Sequence, residues 1–156
     1  AYALNVKEMS MELGEAAQNT LTDLPEKKGG HMQKVAEMFN NLLKRSDDYG
    51  QETGQLSRPG GELRYLVSLH AKSLEDAGIS VDEAGFLKAP SYSDGEMAQI
   101  PEDFVQELQK KCEEMSMNPM EYVEKRVYSY AHLYQSDIGN AYQTSLYTGM
   151  LFNSYC

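Results

Sequence analysis

The chain has 156 residues, of which 41% are hydrophobic and 24% charged, with a formal net charge of −10. That length and balance allow one domain with a real core and exclude a wholly disordered chain. The negative charge excludes a protein that grips nucleic acid by neutralising phosphates, and one that docks on an anionic membrane.

The charge suits a basic partner, or serves solubility alone. Two cysteines, Cys112 and Cys156, are too few for a disulfide framework and fit a reducing compartment. No apolar run reaches the ~18 residues of a membrane span. The first residues carry neither the basic nor the apolar region of a secretory signal. The expected location is therefore cytoplasmic, with delivery by a signal-peptide-independent route left open.

In chain order the pattern is helix after helix. Val6, Met9, Leu13, Ala16 and Thr20/Leu21 recur at spacings of three and four, which predicts one buried face. Pro25, Gly29 and Gly30 stop that helix. Gly29-Gly30-His31-Met32 reads as a glycine-rich turn. The alternative is a fusion junction, which would make residues 1–30 a peripheral or added helix.

Met32, Val35, Phe39 and Leu42 form the stripe of a second helix, which the sequence ends at Ser46-Asp47-Asp48-Tyr49-Gly50. Residues 46–61 then read as a long loop, because Gly50, Gly54, Pro59, Gly60 and Gly61 crowd it. A third helix is predicted from about Glu62 to Ala77 on Leu63, Leu66, Val67, His70 and Leu74, with Gly78 as its C-terminal cap. Ser80-Val81-Asp82-Glu83 has the form of a capping box and predicts a short helical turn ended by Gly85. Residues 88–99 read as a second loop.

Pro101 opens a fourth helix, with Glu102 and Asp103 in the first turn, where the helix dipole favours negative charge. Its stripe is Val105, Leu108, Cys112 and Met115, so Cys112 reads as a small buried hydrophobe. Asn118-Pro119-Met120-Glu121 ends it and starts a fifth helix, over residues 119–135, on Met120, Val123, Val127, Tyr130 and Tyr134. Residues 138–153 are apolar nearly all round. With 119–135 they are expected to form the hydrophobic centre, and Ala141, Ser145 and Gly149 make a smooth strip for close helix packing. The expected fold is all-α: one domain over residues 1–156, an irregular bundle of five or six helices with two longer loops.

Chemistry is harder to find. His31, His70 and His132 fall on three different predicted helices, and none of the spaced His or Cys pairs of metal sites occurs. Neither Asp47-Asp48 nor Asp94-Gly95 fits a calcium loop. Gly60-Gly61 beside Arg58 is a weak anion-binding pattern, better read as a loop-to-helix connection. No metal and no cofactor is expected. His70 on an apolar stripe reads as a satisfied core histidine. Nucleophilic catalysis would pair Cys112 or a serine with a histidine, and an enzyme would need a site scattered along the chain, around Cys112 and His132.

The departure from an average domain is aromatic. There are 11 tyrosines and no tryptophan, and seven of the tyrosines lie from Tyr122 onward. Tyr122 and Tyr128 fall off the core stripe of their helix, and tyrosine is enriched in interfaces. Nine methionines add adaptable surface. The expected function is a non-enzymatic protein–protein interaction module: an adaptor, a secretion-type chaperone or effector domain, or an inhibitor. Tyr122, Tyr128, Met117 and Tyr147 are the expected partner-binding residues, with an acidic rim. The expected partner is another protein, basic or presenting an amphipathic helix. The alternatives are a self-assembling subunit that packs through its apolar final helix, and an enzyme with a scattered Cys/His site.

Overall fold

A computed structural model describes residues 2–54, 57–92 and 98–124. It is all-helical apart from one two-stranded hairpin. Six α-helices are described: α1 (Tyr2–Thr22), α2 (Lys28–Thr53), α3 (Arg58–Leu69), α4 (Ala71–Asp76), α5 (Glu102–Met117) and α6 (Pro119–Glu124). The strands β1 (Ser80–Val81) and β2 (Leu87–Lys88) pair antiparallel. Two compact units divide the chain, Ala1–Pro119 and Met120–Cys156. The expected helices beyond residue 124, with their tyrosines and the strip Ala141, Ser145 and Gly149, lie outside the described residues.

The core of the first unit follows the predicted stripes. Val6 and Leu13 of α1, Met32, Val35, Phe39 and Leu42 of α2, Leu63 of α3 and Val105, Leu108 and Met115 of α5 expose no surface. Each stripe is apolar at three-four spacing, so each helix has one face to bury and the faces meet. Helix α1 passes close to α5, where a Cβ on Gly14 would stand 3.3 Å from the Cys112 Cβ.

Two predicted breaks are helix instead. Gly29 and Gly30 lie in the first turn of α2, not in a turn between helices. The first of them is required by packing: a Cβ on Gly29 would meet the Tyr92 ring at 2.7 Å. The chain break comes earlier, in a 3₁₀ turn at Pro25–Lys27.

Helix α2 also continues through Ser46-Asp47-Asp48-Tyr49-Gly50 to Thr53, so the expected loop over 46–61 shrinks to the few residues before Arg58. Partners distant in sequence hold this extension. Ser46 is fully buried and accepts from the Gly60 N–H at 2.9 Å, while its hydroxyl also meets that of Ser57. The Tyr49 ring stacks on that of Tyr2, with centroids 3.8 Å apart. Gly54, at φ +69°, closes the helix in the left-handed conformation natural to glycine.

The predicted third helix is two. It begins earlier, at Arg58, with Pro59 and Gly60 in its first turn, and breaks at His70. Gly78 caps α4 as expected, at φ +79°, with the Ile79 N–H donating to the Leu74 carbonyl.

The capping box at Ser80–Glu83 makes a hairpin rather than a helical turn. The Asp82 carboxylate does cap backbone amides, accepting from Ala84 and Phe86 at 2.9 Å each, but it closes a loop between strands. The extended run after β2 lies along α2. Leu87 exchanges hydrogen bonds with Asn40, and the Gln33 side chain donates to the Pro90 carbonyl. Among the described residues no helix is long and apolar enough to cross a membrane.

Candidate functional site

Helices α3 and α5 pack side by side. Their seam is fixed at one end by Lys111, which donates to Glu62 at 2.8 Å and to Glu114 at 3.2 Å. At the other end stands His70, at the break between α3 and α4. Its Nδ1 lies 3.2 Å from the Asp103 carboxylate and its Nε2 3.0 Å from the Glu107 carboxylate. The Asp103 carboxylate also accepts from the Ser73 hydroxyl at 2.9 Å, and from the Phe104 N–H. The Phe104 ring meets His70 edge-on, with centroids 6.0 Å apart.

A neutral imidazole donates from one nitrogen only, so two carboxylate partners favour the imidazolium. Partial burial of His70 opposes the charge, but the hydrogen bonds to Glu107 and Asp103 outweigh it and raise its pKa. The Asp103 carboxyl is held below its ordinary range, by the Ser73 hydroxyl first and then by the Phe104 N–H and His70, against some desolvation. With both ring nitrogens engaged, His70 is a clamp rather than a general base. The expectation of a satisfied core histidine is met in part: the ring has its partners, supplied by another helix, but it stands at the break after α3 and is only partly buried.

The clamp has a pH signature. A histidine whose folded pKa lies above its unfolded value stabilises fully below the unfolded value, about 6.5, and loses that contribution as pH rises through the folded value. Both carboxylates are about half exposed, which limits the effect to about 1 kcal/mol or less. Urea unfolding of the wild type and of His70→Gln at pH 6 and pH 9 should show a stability gap that narrows at the higher pH. A gap that widens or stays constant would remove the clamp.

Between these two ties the seam opens into a shallow groove of about 330 Å³. Above it stand Tyr65 and Leu69, four positions apart on one face of α3, with 62% and 54% of their surface exposed. Glu62, Glu107 and Glu114 line it together with Lys110 and Lys111, and Lys111 is already bound to two of these acids. The result is a small apolar ridge with a net acidic border.

Met117 is 72% exposed and follows Glu114 by three positions, so it extends this face along α5. Tyr122 has only 6% of its surface exposed and belongs to the second unit. Tyr128 and Tyr147 lie outside the described residues. Tyr65 and Leu69 are not among the residues that the sequence patterns mark for binding. The signal was there: both are apolar, four apart, and off the stripe Leu63, Leu66 and Val67.

The Cys112 thiol is 1% exposed, and burial pushes its pKa up to about 12. It is a neutral packing group at physiological pH, while His132 lies outside the described residues. Among the described residues no group of three His, Cys, Asp or Glu side chains is placed to hold a metal ion. Compared with known families, curated proteins and solved structures, the chain matches no family, no curated protein and no solved structure.

Proposed function

We propose that the chain is a protein–protein interaction module whose docking face is the groove between α3 and α5. The observation that carries this reading is the pair Tyr65 and Leu69, large apolar side chains held outward, side by side, over a groove with an acidic border. Tyrosine offers a wide rigid ring with a polar tip, and a well-packed tyrosine is among the commonest anchors of an interface. The clamp at His70 and the Lys111–Glu62 pair brace the seam from both ends, so the face is organised before a partner arrives and less ordering is needed on binding. The border favours a partner that is basic or presents an amphipathic helix with basic flanks.

The test compares the whole chain with its double variant Tyr65→Ser/Leu69→Ser as bait in quantitative affinity purification. The dissociation constant of each recovered partner is then measured with purified proteins. The variant should keep its circular dichroism and thermal midpoint, since neither side chain is in the core. Its affinity should fall on the order of a hundredfold, as two lost anchors of about 1–2 kcal/mol each require. Equal recovery and equal affinity for wild type and variant would remove the face from the function. Sedimentation at rising concentration distinguishes a foreign partner from a second copy of the chain.

A further inference from the structure

We propose that the outer edge of β1 is a strand-addition site for an extended peptide in which basic and small apolar residues alternate. Ser80 faces Lys88 and Val81 faces Leu87. The Asp82 N–H donates to the Phe86 carbonyl at 3.0 Å. Antiparallel pairs alternate between hydrogen-bonded and non-hydrogen-bonded. The Asp82–Phe86 bond therefore makes Val81–Leu87 a non-hydrogen-bonded pair. Both residues then turn their N–H and C=O away from the hairpin, toward its two opposite edges.

The two edges are treated differently. On the β2 side the Asn40 carboxamide occupies the position of a neighbouring strand. Its oxygen accepts from the Leu87 N–H and its nitrogen donates to the Leu87 carbonyl, each at 2.8 Å. On the β1 side, among the described residues, no group meets the Val81 N–H or carbonyl. That edge borders a groove of about 690 Å³ between the hairpin and α3–α4. An edge with a donor and an acceptor turned outward is the template that strand addition uses.

The surroundings of the groove specify the occupant. Val67, Ala71 and Ile79 give it an apolar wall, while Glu75, Asp82 and Glu83 supply negative charge. Arg64, the cation in the lining, is already committed to the Asp47 carboxylate and the Ala84 carbonyl, at 2.8 and 2.9 Å. A strand laid against Val81 presents alternate residues to opposite faces. A peptide alternating basic and small apolar residues directs one set to the apolar wall and the other to the carboxylates. This site is separate from the face at Tyr65 and Leu69 and does not rest on it.

The experiment titrates the 15N-labelled full chain with the acetylated, amidated heptapeptide Arg-Val-Arg-Val-Arg-Val-Arg, and with its backbone N-methylated form of equal charge. Val81 and Ile79 amides should shift saturably with the first peptide, with half-saturation below about 1 mM. The N-methylated form should bind about tenfold more weakly or not at all, as loss of backbone hydrogen bonds requires. Val81→Pro removes the outward N–H and breaks no hydrogen bond of the hairpin, since proline is tolerated where an edge N–H faces solvent, and should weaken binding about as much. Glu75→Gln/Glu83→Gln should weaken binding too and tests the site should Val81→Pro fail to fold.

The double variant Tyr65→Ser/Leu69→Ser should bind the peptide as the wild type does. Absence of a saturable shift at Val81, or equal binding of the N-methylated peptide, overturns the proposal. So do shifts centred on Tyr65 and Leu69, which would assign the peptide to the other face.

Discussion

Phe104→Ala should unfold the first unit at a much lower denaturant concentration, losing about 3–5 kcal/mol of stability, the usual cost of deleting a buried phenyl ring. Phe104 exposes no surface. Its ring lies 6.2 Å from the Phe39 ring, tilted by 55°, and 6.0 Å from the His70 ring at 67°. Truncation removes an aromatic pair from the core and the edge contact that steadies the histidine clamp. The thermal midpoint should fall on the order of 10 °C. Phe104→Leu, which keeps most of the volume, should cost about 1.5 kcal/mol or less. Urea unfolding followed by circular dichroism decides it, with an unchanged m-value showing that only stability has moved. Equal stability of Phe104→Ala and wild type would mean that the residues around Phe39 are not the core.

Where a segment's burial is periodic, the fold was legible. The stripes of α1, α2, α3 and α5 each place their apolar residues on one face, and Val35, Leu63, Leu108 and their neighbours are buried as their spacing predicts. Pro101 and Gly78 act where their covalent geometry confines them. Misreadings arise where the deciding partner is far along the chain. Ser46-Asp47-Asp48-Tyr49-Gly50 is poor helix by propensity, yet Tyr2, Ser57 and Gly60 hold it helical. Gly29 looks like punctuation from its neighbours alone, because Tyr92, whose ring needs the space, lies far along the chain.

The candidate face divides in the same way. Tyr65 and Leu69 can be found by subtracting the core stripe from the apolar residues of α3. The His70 clamp cannot, because its carboxylates come from another helix and nothing local marks Asp103 and Glu107 as its partners. Composition singles out the tyrosines from Tyr122 onward, but it counts residues and says nothing of their exposure. Tyr65, outside that cluster, is the exposed one on the described face.

Asn40→Ala should loosen the hairpin from α2 and cost about 1–3 kcal/mol. The carboxamide of Asn40 satisfies both backbone groups of Leu87, a residue only 4% exposed, so removing it leaves a buried donor and a buried acceptor without partners. The cost is set by those orphaned groups more than by the hydrogen bonds lost, because water reaches Leu87 poorly. Asn40→Asp separates the two halves. A carboxylate still accepts from the Leu87 N–H but cannot donate to the Leu87 carbonyl, and it sets negative charge against that oxygen. It should therefore also destabilise, and lowering the pH until the carboxyl is protonated should recover part of the loss, since the acid again has a proton to donate. Amide exchange should quicken first at Leu87 and Asp82, because the hairpin has two-residue strands and little else to resist opening. The α1 and α5 amides should keep their protection. Uniform quickening through α1 and α5 would show instead that Asn40 supports the whole unit and that the hairpin opens only with it.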